Sequence, residues 1–337
     1  MTKMRNIWLD GIMGVITGDA LGCPVRFETR EEVARHPVTG MRGKGTFNLP
    51  AGSWTDDGSL TVALLESIGR KKEIDLDDIM GNFMKWLYEG EFTPYGQSFD
   101  IGRGTMQSIG RYRQKRNPRT CGGDSDRDNG NGSLMRIMPA CLYCSILRRR
   151  AASGADGMKD EPDTSGNNSF TDVDAVSVIH SVGSLTHAHI RANIACGLYY
   201  FMTYEILYGE GDLRSRMQKG LDRGFAHYET HLADTENVHF YHRLRDLDAF
   251  AALPVGKIRS TGYVVDSLEA AVWCLLNTDS LEKALLAAAN LGDDTDTVAA
   301  IAGGLAGLWY GYDAIPEDWL AVIQRREWIE KLCRVDL

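Results

Sequence analysis

The chain has 337 residues, 43% hydrophobic and 25% charged, the make-up of a globular protein with a large core. A formal charge of -9 argues against a general role on nucleic acid, which needs a basic footprint, and no stretch reaches the roughly 20 apolar residues of a membrane span. Seven cysteines, odd in number and without a second pair at zinc spacing, read as reduced core thiols of a cytoplasmic protein rather than a disulfide framework.

The first segment, "MTKMRNIWLDGIMGVITGDALG", sets Lys3 and Arg5 before an apolar run, as a signal peptide does. Asp10 and Asp19 interrupt that run and no cleavage site follows, so the segment is predicted to be the first core helix. "MRGKGTFNL" alternates too briefly for more than one hairpin or loop. Apolar residues then recur at three and four over 59–70, 76–90, 104–115 and 133–150, which predicts helices there. Residues 152–172 are rich in Gly, Ser, Asp and Asn and predict a flexible surface insertion. The helical period returns over 191–209, 267–278, 280–292 and 297–311. No βαβ alternation appears, so the expected fold is all-α, one large helical domain over 1–337. In the last of these helices, "GGLAGLWYG" (303–311) carries glycines that cost helix propensity and imply close packing against another helix.

Two helices open on concentrated acid. "GSWTDDGSL" places Thr55, Asp56 and Asp57 before an apolar helix, and "NLGDDTDTVAA" places Asp293, Asp294, Asp296 and Thr297 before another. One carboxylate or hydroxyl suffices to cap a helix. Two or three acids at each site exceed that need, and like charges drawn together repel by roughly 4 kcal/mol per pair at 4 Å and an effective dielectric of 20. No Lys, Arg or His lies within either cluster, and an all-oxygen donor set suits Mg²⁺ or Mn²⁺. Asp294 and Asp296, two apart, would point about 200° apart on a regular helix, so they converge only where the turn is still unwound. Pairing the two clusters across about 240 positions is a hypothesis from their chemistry.

"GDALGCPVRF" (18–27), "GSWTDDGSLTVALLESI" (52–68), "FDIGRGT" (99–105), "NGNGSLMRIMP" (129–139), "SLTHAH" (184–189) and "NLGDDTDTVAAIAGGLAG" (290–307) occur in the order seen in the ADP-ribosylglycohydrolase family. The chain resembles that family, and its nitrogenase-regulating branch, from about residue 5 to 335. The resemblance implies an all-α fold with a dinuclear centre of two Mg²⁺ (or Mn²⁺). It also implies hydrolysis of the glycosidic bond between ADP-ribose and an acceptor, on a protein side chain or a small molecule. Thr55, Asp56, Asp57, Asp294, Asp296 and Thr297 match its metal motifs, and Asp100 matches an aspartate implicated in catalysis. Asp100 also reads as an N-cap of the helix beginning near Gly102, and both roles can hold. Where many members carry a glutamate this chain has Arg26, which could pair with a phosphate or carboxylate; Glu28, two residues on, is the candidate substitute.

Asn131, Gly132 and Ser133, set before a predicted helix, suit an anion such as a diphosphate or serve as a plain helix cap. His187 is implied to line the substrate cleft, with a capping or core histidine as the alternative, and Tyr263 is a candidate to stack on adenine. "HYETHLADTENVHFYH" (227–242) has no metal-ligand spacing and reads as solvated helix surface. The expected partner is an ADP-ribosylated protein or ADP-ribosyl small molecule, with no nucleic acid and no membrane. The alternatives are an impaired ADP-ribose binder and a hydrolase of another ribosyl or nucleotide metabolite.

Overall fold

The computed structural model describes residues 5–157, 169–232 and 235–337. These form α1 (Ile7–Gly22), α2 (Arg30–Arg35), α3 (Asp56–Lys71), α4 (Leu76–Glu89), α5 (Arg103–Lys115), α6 (Met138–Gly157), α7 (Asp172–Gly183) and α8 (Ile190–Tyr208). They continue with α9 (Leu213–His231), α10 (Glu236–His239), α11 (Leu247–Ala251), α12 (Val264–Leu276), α13 (Leu281–Ala289), α14 (Thr295–Tyr310), α15 (Glu317–Val322) and α16 (Arg326–Leu332). Among the described residues there is no strand, only isolated bridges, so the fold is all-α. "MRGKGTFNL" is a tight loop, a 3₁₀ turn over Gly45–Phe47 closed by a bridge between Lys44 and Leu49.

Each long apolar period becomes a helix, and the N-terminal run is α1, buried along most of its length. The twelve-residue α7, amphipathic α9 and the short α2, α10, α11, α15 and α16 lack a long apolar run and are additions to the elements expected from sequence. Of the expected insertion at 152–172, residues 158–168 lie outside the described residues; α6 continues to Gly157 and α7 starts at Asp172. All seven cysteines are free and buried. No helix among the described residues is long and apolar enough to cross a membrane.

One hydrophobic core draws on residues from Trp8 to Cys333. Its axis is the pair α1 and α14, which pack along their whole lengths. Both are buried on nearly every side, which is why their sequences are apolar all round rather than striped. Their backbones touch. A Cβ on Gly14 would lie 2.1 Å from the Gly303 carbonyl oxygen, and one on Gly307 would lie 2.1 Å from that of Asp10. Contact positions rise along α1 as they fall along α14, so the helices are antiparallel. The C-terminal end of α1 therefore lies against the N-terminal end of α14, with Gly22 at the backbone of Asp296. The close packing expected from the 303–311 glycines is observed, against the glycines of α1.

This contact predicts a contrast between two glycine substitutions. Gly14→Val forces a side chain into the α14 backbone and destabilises by about 3 kcal/mol or more, at or beyond the top of the overpacking range. Gly81→Ala, on α4 with nothing within 4 Å of the added Cβ, stabilises by about 0.5–1 kcal/mol. Urea denaturation of the two variants checks both signs.

Candidate metal centre and substrate cleft

Asp19, near the end of α1, reaches the N-terminus of α3. Its carboxylate accepts from the Thr55 amide (2.9 Å), the Thr55 hydroxyl (3.0 Å) and the Gly58 amide (2.8 Å). Asp19 therefore supplies the cap from outside the helix. Thr55 makes no side-chain cap of its own, and neither does Asp294 at the start of α14. The clustered acids are thus free of the capping duty that would otherwise account for them.

Asp294 sits at φ -94°, ψ 57°, outside the helical region, and α14 proper begins at Thr295. The turn is unwound where convergence of Asp294 and Asp296 requires it. Both direct an Oδ1 at Nη1 of Arg26, while Arg26 Nε pairs with Asp100 Oδ2 at 2.5 Å. The second oxygen of Asp294 accepts from Asn131 Nδ2 at 2.5 Å. Asp57 Oδ2 accepts from the hydroxyls of Thr55 (3.2 Å) and Thr297 (3.3 Å), which joins the two acidic turns across 240 positions. Asp19, Asp57 and Asp296 each offer a carboxylate oxygen within 4.8 Å of the others. Because Asp19 is already committed to α3, the open oxygens are Asp57 Oδ1 and Asp296 Oδ2, buried and without a hydrogen-bond partner. Such orphans are costly in a native fold and fit a hard cation.

Burial drives the electrostatics. It raises the carboxyl pKa of Asp19, Asp56, Asp57 and Asp294, with neighbouring carboxylates adding to the shift in each. Burial likewise raises Asp100, against the pull of Arg26, and pushes Asp296 up to about 6. For Arg26, burial opposes the charge, but Asp296, Asp294 and Asp100 outweigh it and hold the guanidinium above its ordinary pKa. Three non-glycine residues around the centre, Phe27, Asp100 and Asp293, take left-handed φ angles of 69°, 50° and 61°. Backbone bonds fix two of them: Phe27 N donates to Asp293 O and Asp293 N to Glu28 O. Such strain is commonest at functional sites.

Beside the centre lies a cleft of about 200 Å³, lined by Arg26, Asp56, Gly102, Asn131, His187 and Thr297 among others, with exposed Arg103 and Arg127 at its mouth. His187 packs on the glycine-rich loop, where a Cβ on Gly132 would come within 2.6 Å of its ring. Its Nδ1 is 2.9 Å from the Thr186 hydroxyl, which itself accepts from Arg136 Nη2 at 2.8 Å. With Thr186 accepting from Arg136, its own proton is available to Nδ1, leaving Nε2–H as the donor. His189 caps α8 instead.

Other placements differ from expectation. The helix after Ser133 begins only at Met138, with a 3₁₀ turn over Leu134–Arg136 between, so Asn131, Gly132 and Ser133 do not front an α-helix. Ser133 is buried against Cys196, and Asn131 reaches Asp294. Asp100 does not cap α5; its carboxylate turns to Arg26. Glu28 contributes backbone, and among the described residues its carboxylate has no hydrogen bond or ion pair. Tyr263 is half-buried next to the loop, bridged to Gly130. Of the four histidines in 227–242, His231, His239 and His242 are exposed and His227 is half-buried. Two residues were missed by sequence reasoning. Asp19 was legible as an acid inside an apolar helix, and Arg136 only as a cation within an apolar stretch.

Fold and site together define an all-α enzyme with a buried carboxylate centre at the edge of a polar cleft. The chain belongs to the ADP-ribosylglycohydrolase family, whose model matches residues 2–337, and it is a glycosidic-bond hydrolase of that family. It is 30% identical over 321 residues to ADP-ribosylarginine hydrolase Tri1 of Serratia proteamaculans, covering 95% of this chain and 76% of that one. It is 28% identical over 320 residues to ADP-ribosyl-[dinitrogen reductase] glycohydrolase of Rhodospirillum rubrum, covering 94% and 90%. A solved ADP-ribosylglycohydrolase-related protein complex superposes with a TM-score of 0.69 at 26% identity, over 99% of this chain and 97% of that one.

Burial, and after it Arg136, pushes His187 down to about 4. The unfolded ring titrates near 6.5, so the stability gained by burying the neutral form is full above that pH and drains as pH falls toward 4. Nitrogen NMR should find the His187 ring neutral, with its proton on Nε2, from about pH 5.5 to 8.

Proposed function

We propose that the chain hydrolyses the bond between C1 of ribose in ADP-ribose and an arginine nitrogen of a modified protein, using a hard divalent cation, Mg²⁺ or Mn²⁺. The observation that carries this is the pair of orphaned oxygens, Asp57 Oδ1 and Asp296 Oδ2, buried on residues next in sequence to Asp56 and Thr297, which line the cleft. The hydrolase of ADP-ribosylarginine among its relatives supports the acceptor. Asp57 and Asp296 would hold the ion, with Asp19, Thr55 and Thr297 around it and Asp56 facing the cleft. When bound, the ion supplies positive charge that lowers the pKa of nearby water.

The protein's own groups account for binding and proton handling. The cleft is smaller than the about 300–1,000 Å³ of a whole ligand pocket, so it takes the reacting ribose end and leaves the rest across its open mouth. Arg103 and Arg127 there suit the diphosphate. His187, neutral, donates from Nε2 to a substrate oxygen without bringing a second positive charge. Holding the ribose against the acids fixes C1 for attack. Asp100, its pKa raised by burial and its carboxylate aimed by Arg26, takes the proton of the attacking water. The bond from C1 to the arginine nitrogen breaks through an oxocarbenium-like state as the water oxygen bonds to C1, and the proton Asp100 took passes to the departing nitrogen, which restores the carboxylate.

Wild-type protein should release ADP-ribose from an ADP-ribosylarginine substrate with Mg²⁺ or Mn²⁺, and stop when the ion is chelated. Asp57→Asn and Asp296→Asn should each lose at least about 100-fold in kcat. Release undiminished by the chelator would contradict the metal, and release only from other ribosyl acceptors would contradict the arginine linkage.

A further inference from the structure

Resting on the metal reading above, the inference concerns how many ions the centre takes. We propose that the Arg26 guanidinium is a permanent cation of this centre, occupying the place between Asp100, Asp294 and Asp296 that a second divalent ion would need, so that the chain binds one ion, not two.

The allocation of oxygens leads there. Asp294 has none free: Oδ1 faces Arg26 Nη1 and Oδ2 accepts from Asn131. Asp296 Oδ1 is shared between Arg26 and the Thr297 amide. Asp100 Oδ2 lies 2.5 Å from Arg26 Nε, an ion pair by charge and distance without hydrogen-bond alignment. Three carboxylates that could ring an ion are therefore ringing a guanidinium. Asp57 Oδ1 and Asp296 Oδ2, both on residues with no exposure, have neither a hydrogen bond nor an ion pair, and with Asp19 these residues each offer a carboxylate oxygen within 4.8 Å of the others, a group that could hold one ion.

Arg26 is also built in. Its guanidinium carbon lies 4.6 Å from the centroid of the Phe27 ring, and the Arg26 carbonyl accepts from Thr46 Oγ at 2.6 Å. The next residue, Phe27, is pinned by its bond to Asp293. A guanidinium does not lose its proton in a protein, so it cannot act as a ligand itself; it can only exclude a cation or swing away from one.

Manganese titration of the wild-type protein, read by electron paramagnetic resonance and by metal analysis after dialysis, separates the outcomes. The proposal expects one Mn²⁺ per chain with the spectrum of a magnetically isolated ion. It also expects Arg26→Glu to take a second Mn²⁺ and show spin coupling. Two ions in the wild type would overturn the proposal and leave the metal reading standing. No bound ion would overturn both. An Arg26→Gln variant that folds, by circular dichroism and melting, yet still binds only one Mn²⁺ would contradict the exclusion by charge.

Discussion

The structure depends on the backbone-to-backbone contact between α1 and α14. Glycine at Gly14, Gly18 and Gly22, four residues apart, lets α14 approach until a Cβ at any of these would fall within 2.5 Å of its backbone. The packing fixes more than separation. Because the helices run antiparallel with a set register, Asp19 and the loop carrying Arg26 arrive at the acidic entrance of α14. A larger residue along that seam would part the helices and, with them, the carboxylates at their end. The core is thus the scaffold of the site in a direct sense, since the same contact that buries α1 places the chemistry.

Gathering six aspartates, at positions 19, 56, 57, 100, 294 and 296, around one arginine runs against both burial and mutual repulsion. The fold offsets part of this locally. Asp19 is stabilised by the free amides at the start of α3, Asp294 by Asn131, and Asp100, Asp294 and Asp296 by Arg26. The remainder, on Asp56, Asp57 and the second oxygen of Asp296, is the imbalance that the proposed cation would correct. On the proposed metal reading, an acidic centre left short of neutral by the protein alone would make the ion part of the native state.

The long helices and the acidic turns were legible because they follow from local rules: apolar period, cap chemistry, and more carboxylates than a cap can use. The convergence of Asp294 and Asp296 was legible as a condition on the backbone, which the unwound turn at Asp294 meets. What escaped was relational. Asp19 reads as an interruption in an apolar helix until α3 is docked on it, and only then is it a cap supplied by another helix. Arg26 reads as a departure from a motif until three carboxylates close on it. Arg136, wholly buried with Nε and Nη1 unpartnered, acts on the cleft only through Thr186 and His187. The α9 helix escaped for a different reason: its exposed, charged face dilutes the apolar period.

The central claim, that the α1–α14 contact, with α3 docked on Asp19, brings Asp57 and Asp296 together to share a cation beside a fixed guanidinium, is tested most directly by diffraction at the manganese edge from crystals grown with Mn²⁺. A single anomalous peak bridging these two carboxylates, with Arg26 still on Asp294, is the predicted result. A peak between Asp100 and Asp294 with Arg26 displaced, or no peak near Asp57, would contradict it.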